Sequence, residues 1–184
     1  MTPARVSGGD TAAAARLRSL IRDIPDFPKP GIVFRDITPL LADARALADA
    51  TRLMADPWRH DRVDHVVGIE SRGFILGACV ARELGVGFVP VRKPGKLPHA
   101  TSRIDYALEY GTDALEVHTD AVTSSSRVLI VDDVLATGGT AAATCQLLER
   151  IGAHVVGLSF LMVLEVLQGR QRLDGRRVST IFAL

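Results

Sequence analysis

Residues 128–140, VLIVDDVLATGGT, constrain the fold of this 184-residue chain more than any other stretch. Val128, Leu129, Ile130 and Val131 form an unbroken run of β-formers, which predicts a strand buried on both faces of a parallel sheet. Asp132 and Asp133 follow at once and are delivered to the carboxyl end of that sheet, where open α/β folds place ligands. Gly138 and Gly139 permit a tight turn and let backbone N–H groups approach a ligand. Thr137 and Thr140 add hydroxyls, and a helix predicted over 140–150 aims its positive dipole end at the same point. The whole suits a phosphate on a sugar whose hydroxyls face two carboxylates. An acidic strand–turn–helix is ordinary; the order of all four parts is what makes the pattern specific.

The rest of the chain repeats the alternation. Strands are predicted over 65–69, 87–91 and 154–163, with helices over 74–84 and 140–150 between strand partners. Strand and helix in turn imply an α/β fold with a mainly parallel, twisted sheet and helices on both faces. Ahead of this lie an amphipathic helix over 11–22, a proline-punctuated extended hood over 25–41 and a helix over 42–55. Residues 93–102, with two prolines and a glycine, read as a loop, and 115–118 as a short strand. Length and the lack of repeats favour one domain over 1–184, with residues 1–10 as a loose tail.

Composition removes several function classes. Hydrophobic residues make up 47% and the net charge is +1, so no basic face for nucleic acid or an acidic membrane is expected. No apolar run reaches the roughly 20 residues of a membrane helix, and the amino terminus lacks the order of a secretory signal. Cys79 and Cys145 sit in apolar, helix-like stretches, which suits small buried fillers in a reducing cytoplasm. His60 and His65 lack a third ligand for zinc, and ATGGT lacks the lysine of an ATP-binding loop, so no protein metal site is expected.

Three further stretches carry chemistry. IESRG at 69–73 ends a predicted strand and opens a helix, placing Ser71 and Arg72 where anions bind. FVPVRKPGKLP at 88–98 gathers Arg92, Lys93 and Lys96 around Pro94 and Gly95, the makings of a lid over 92–111. FPKPGIVFRDITPLL at 27–41 holds Phe34 among rigid and charged neighbours; by itself it reads as a core aromatic.

Together with YALEYG at 106–111, these motifs resemble the adenine phosphoribosyltransferases, members of the type I phosphoribosyltransferase family. The resemblance runs from about residue 27 to 173. It implies transfer of the 5-phosphoribosyl group of 5-phosphoribosyl pyrophosphate (PRPP) to adenine, yielding AMP and pyrophosphate, in a cytoplasmic homodimer. By the resemblance, Phe34 stacks on adenine with Leu164 on the other face, and Val33 and Arg35 read the purine edge. Asp132 and Asp133 hold the ribose hydroxyls, and Ala136, Thr137, Gly138, Gly139 and Thr140 the 5′-phosphate. Ser71, Arg72, Arg92, Lys93 and Lys96 face pyrophosphate, Glu109 is the acid/base, and Tyr110 closes over the site. The resemblance also implies Mg²⁺ carried by the substrate and a cis bond between Glu70 and Ser71. A core role for Leu164 stands equally open, and the carboxyl terminus is shorter than in many members.

Two rival readings share these features. An enzyme for hypoxanthine, guanine or xanthine would keep the fold and the PRPP loop, but the 27–41 hood argues against it. A PRPP-binding regulator without turnover would carry a DNA-binding region or basic face, and the sequence shows neither.

Overall fold

A computed structural model of the chain describes residues 8–107 and 112–184. These fall into two compact units divided after Leu53.

The first unit holds α1 (Gly8–Ser19), a short antiparallel pair β1 (Arg22–Ile24) and β2 (Phe34–Asp36), then α2 (Thr38–Ala42) and most of α3 (Ala44–Ala55). The amino-terminal helix thus starts and stops three residues earlier than 11–22. Asp10 belongs to its first turn, where an acid suits the helix dipole and pairs with Arg52 at 2.9 Å, so Gly8, Gly9 and Asp10 are not loose tail. The predicted helix over 42–55 is α3, which opens two residues later because Ala42 ends α2. Asp43 separates the two with an extended backbone, and its carboxylate accepts the Ala46 N–H at 2.8 Å to cap α3. The hood is not extended throughout either: Pro39 in the first turn of α2, with the Thr38 N–H on the Asp36 carboxylate, starts a helix.

The second unit opens with a 3-10 turn (Asp56–Trp58), followed by β3 (His65–Ile69), α4 (Arg72–Leu84), β4 (Gly87–Val91), β5 (Thr101–Ala107) and β6 (Thr112–His118). Then come β7 (Arg127–Leu135), α5 (Gly139–Arg150), β8 (His154–Val163), 3-10 turns at Glu165–Leu167 and Gly169–Leu173, and β9 (Val178–Ala183). The main sheet is all-parallel in the order β4-β3-β7-β8-β9. From β3 the chain crosses outward to β4, and from β7 it crosses the other way to β8. Right-handed crossovers in opposite directions put α4 and α5 on opposite faces. Side chains agree: Val67, Ile69, Val128 and Ile130 pack with α5, while Gly68 meets the α4 backbone at Gly73.

Three departures from the sequence reading bear on function. Strand β7 runs to Leu135 rather than Val131, because the long β8 supplies a ladder as far as Leu135↔Val163. On its other edge β7 pairs with β3 only to Gly68↔Val131. The segment read as a loop over 93–102 ends inside β5, which forms a seven-pair antiparallel hairpin with a β6 longer than the predicted 115–118. Strand β9, which the sequence reading does not assign, closes the far edge. The helices over 140–150 and 74–84 open one and two residues earlier than read.

Among the described residues, no helix is long and apolar enough to cross a membrane. Cys145 is wholly buried, and burial pushes its thiol up to about 11, consistent with a packing role.

Candidate active site

The chain reverses its direction of crossover between β3 and β7, and the crevice outside their carboxyl ends is the expected ligand position of such a sheet. A cavity of about 320 Å³ lies there. Because β3 stops pairing at Val131, the β3-side edge of β7 is open at Asp132 and Asp133. Helix α4 begins beside them, and this works only because residue 73 is glycine. A Cβ there would sit 2.8 Å from Asp132 Oδ1 and 2.9 Å from the Val131 carbonyl oxygen, closer than packing tolerates.

That approach also sets the charges. Arg72, one residue before the glycine, reaches Asp133 with Nε 2.9 Å from Oδ2. Asp133 is buried and Asp132 largely so, and both line the cavity. Burial, and then the negative charge of Asp133 beside it, push the Asp132 carboxyl well above the ordinary carboxylate range. A site built this way welcomes hydroxyl donors or a cation, which relieve the repulsion.

Residues Ala136, Thr137, Gly138, Gly139 and Thr140 all line the same cavity at the start of α5. Gly138 has φ +80 and caps the helix, whose first N–H groups have no partner within it. The turn is braced from behind by a residue the sequence reading passed over. A Cβ on Gly169 would lie 2.1 Å from the Ala136 carbonyl oxygen, and one on Gly138 would lie 2.4 Å from the Gly169 carbonyl oxygen. The two glycine backbones are therefore in direct contact, although 30 positions lie between them and no local signal links them. Phe160, also unforeseen, supplies an apolar wall.

The expected anion-binding side chains divide. Ser71, Arg72 and Lys93 line the cavity; Arg92 and Lys96 do not appear in its wall. Both instead meet Glu70, Arg92 through Nε at 3.1 Å and Lys96 through a short ion pair. Burial works to raise the Glu70 carboxyl, but Lys96, the Lys93 N–H and Arg92 outweigh it and hold it below its usual range. The Glu70–Ser71 bond is cis, as the motif resemblance implied. Lys93 is held by Asp113 and by the Tyr106 hydroxyl at 3.3 Å.

Val33, Phe34 and Arg35 belong to the first unit. Phe34 and Arg35 sit in β2, where Arg35 pairs with Asp23 of β1, and Phe27 meets the Phe34 ring edge-on at 5.2 Å. Val33 is 44% exposed and Phe27 is 50% exposed, so this face of the hairpin presents apolar surface. Leu164 belongs to the second unit, just past β8, with its N–H on the Leu135 carbonyl, and is not part of the cavity wall. Glu109 and Tyr110 lie outside the described residues.

A switch-point crevice with an acid pair and a glycine-rich, helix-capping turn defines a class, and comparison with known proteins agrees. The model of the phosphoribosyl transferase domain matches residues 37–180, and the chain belongs to that family. Within it the chain belongs with the adenine phosphoribosyltransferases. It is 53% identical over 181 residues to the one from Myxococcus xanthus, covering 98% of each chain. The crystal structure of the Rhodothermus marinus adenine phosphoribosyltransferase superposes with a TM-score of 0.91 at 52% identity, over 95% of this chain and 99% of that one. The Saccharomyces cerevisiae enzyme, solved with an imino-altritol bisphosphate and adenine, gives a TM-score of 0.86 at 40% identity, over 93% and 99%.

Two outcomes are expected from this geometry. A carboxyl with a raised folded pKa binds its proton more tightly in the folded than the unfolded state. Its contribution to stability therefore falls as pH rises from the unfolded carboxylate range towards the folded pKa. Asp132→Asn removes that penalty and should raise the Tm of the ligand-free protein at neutral pH, with the gain fading towards about pH 4. Calorimetry at the two pH values reads this, and an unchanged or lower Tm at neutral pH would contradict it. Gly169→Ala should displace the 136–140 turn and lower kcat/KM for PRPP by on the order of 10²-fold, since a misplacement of about 1 Å has that effect. Near-normal PRPP kinetics would show that the turn is not braced there.

Proposed function

We infer that this protein transfers the 5-phosphoribosyl group from PRPP to adenine, giving AMP and pyrophosphate. The observation that carries the reading is the crevice between β3 and β7, where a carboxylate pair and a helix-capping Thr-Gly-Gly-Thr turn share one cavity. The turn holds the 5′-phosphate on its N–H and hydroxyl groups, and Asp132 and Asp133 hold the ribose hydroxyls. The anomeric carbon is thereby fixed between a departing pyrophosphate and an incoming base, with a transition state resembling that of glycoside cleavage.

Pyrophosphate departs towards Ser71, Arg72 and Lys93, with Arg92 and Lys96 supplied by the loop that Glu70 anchors. Phe34 stacks on adenine, and the backbone of Val33 and Arg35 selects the amino edge. Tyr110 closes the lid over 92–111 and excludes water, which would hydrolyse the reactive sugar.

Among the described residues, no group of three or more histidine, cysteine or carboxylate side chains stands together as a metal cage. The two carboxylates present fit a Mg²⁺ that takes most of its ligands from substrate oxygens and water, any protein ligand coming from Asp132 or Asp133. When bound it neutralises charge on pyrophosphate. The protein acts as a homodimer in the cytoplasm.

Base selectivity tests the reading. Adenine should exceed hypoxanthine and guanine by roughly 10⁴-fold in kcat/KM, because a keto edge leaves buried backbone groups unpaired. Comparable use of hypoxanthine would move the protein to the 6-oxopurine enzymes, and PRPP binding without AMP formation would make it a regulator.

Glu109 is the acid/base that takes the purine ring proton as its nitrogen bonds to the sugar. Glu109→Gln keeps size and hydrogen bonding but cannot accept that proton. Single-turnover chemistry should fall about 10²–10⁴-fold with adenine affinity little changed. Wild-type chemistry at saturating substrates would remove Glu109 from the mechanism.

A further inference from the structure

Tyr106 opens the 106–111 motif but has no role assigned so far, and its hydroxyl is where three polar side chains meet. It projects from β5 opposite Asp113 of β6, its register partner, with its ring packed against the core. Its oxygen lies 3.2 Å from Thr140 Oγ1, 3.2 Å from Asp113 Oδ2 and 3.3 Å from Lys93 Nζ. Lys93 can only donate, and an ionised Asp113 only accept. Burial works against the Lys93 charge, but Asp113 and Tyr106 outweigh it and hold the ammonium above its usual range. The lysine therefore stays a donor, and the order of the remaining protons follows from counting.

The phenol has one proton and two acceptors within reach. If Tyr106 donates to Asp113, the Thr140 hydroxyl must spend its own proton on Tyr106. If Tyr106 donates to Thr140, the Thr140 proton is free to point into the cavity that Thr140 lines. A phosphate oxygen at the start of α5 needs the second order, since phosphate offers only acceptors.

We propose that Tyr106 is a positioning residue that orients the Thr140 hydroxyl as a donor to the 5′-phosphate, in competition with Asp113 for the Tyr106 proton. The proposal rests on the placement of the phosphate at the 136–140 turn. Filling the turn shifts the Tyr106 proton from Asp113 to Thr140 and leaves Asp113 Oδ2 to Lys93, while Oδ1 keeps the Ala114 N–H. The lysine on the cavity wall is thereby drawn onto a fixed partner when the sugar phosphate arrives, before the base must be aligned.

The probe is ribose 5-phosphate, which carries the phosphate but neither pyrophosphate nor base, titrated calorimetrically against the full-length protein. Tyr106→Phe keeps the packed ring and should weaken binding about two- to tenfold, the usual range for one hydrogen bond. In a Thr140→Val background the same change should cost less than about twofold, because its route is gone. Asp113→Asn should tighten binding, the opposite sign, and should do so only while Tyr106 is present. Unchanged affinity in Tyr106→Phe, an equal loss with and without the Thr140 hydroxyl, or tightening by Asp113→Asn that survives Tyr106→Phe overturns the proposal. The last outcome would mark simple charge removal. Thr140→Val without effect would instead overturn the phosphate placement on which this rests. Should Tyr106→Phe not fold, Asp113→Asn alone decides: weaker or unchanged binding refutes the relay.

Discussion

The site depends on one mismatch of strand lengths. Strand β7 pairs with β8 to Leu135 but with β3 only to Val131, so Asp132 and Asp133 stay on a rigid strand yet face an open edge. A loop would position two acids less well, and a fully paired strand would hide them. Gly73 completes the arrangement by letting α4 start against the acid pair, so that Arg72 reaches Asp133. Backbone pairing, one glycine and one ion pair together place the chemistry.

The same placement makes the ligand-free site electrostatically unfavourable. Two adjacent carboxylates stand beside one arginine, Arg72, and the Asp132 carboxyl is driven upward by burial and by its neighbour. Groups held against their preference are common where function requires them, and the rest of the fold must offset the cost. The offset here lies in the long β7–β8 ladder and in a continuous core that includes Val67, Ile130, Leu147 and Phe160.

Much of this was legible in the sequence. The strands at 65–69, 87–91 and 154–163 follow from apolar runs between turn signals, and their bounds match the structure. The acid pair and the 136–140 turn line the cavity as their order implied, because strand, turn and helix signals there are all local. The rest depends on partners distant in sequence. Strand β7 gains its last four residues from β8, and the first two residues of β5, Thr101 and Ser102, look like loop until β6 pairs with them. Gly169 has no motif of its own; only its contact with Ala136 and Gly138 gives it a role. Charge and the family resemblance both group Arg92 and Lys96 with the anion site, and nothing local announces that Glu70 holds both.

Arg72, Lys93, Arg92 and Lys96 each already face a carboxylate: Asp133, Asp113 and, for the last two, Glu70. An incoming pyrophosphate would therefore not meet bare cations; it would compete with acids that already partner them. The Coulomb gain of binding is reduced by each internal pair loosened, so a singly charged anion has little to gain. A multiply charged ligand that engages several cations at once has more. The internal carboxylates also keep the lysines and arginines ordered, so less side-chain entropy is lost when the ligand arrives. Selectivity for a highly charged phosphate and prior ordering of the cations would thus come from the same ion pairs.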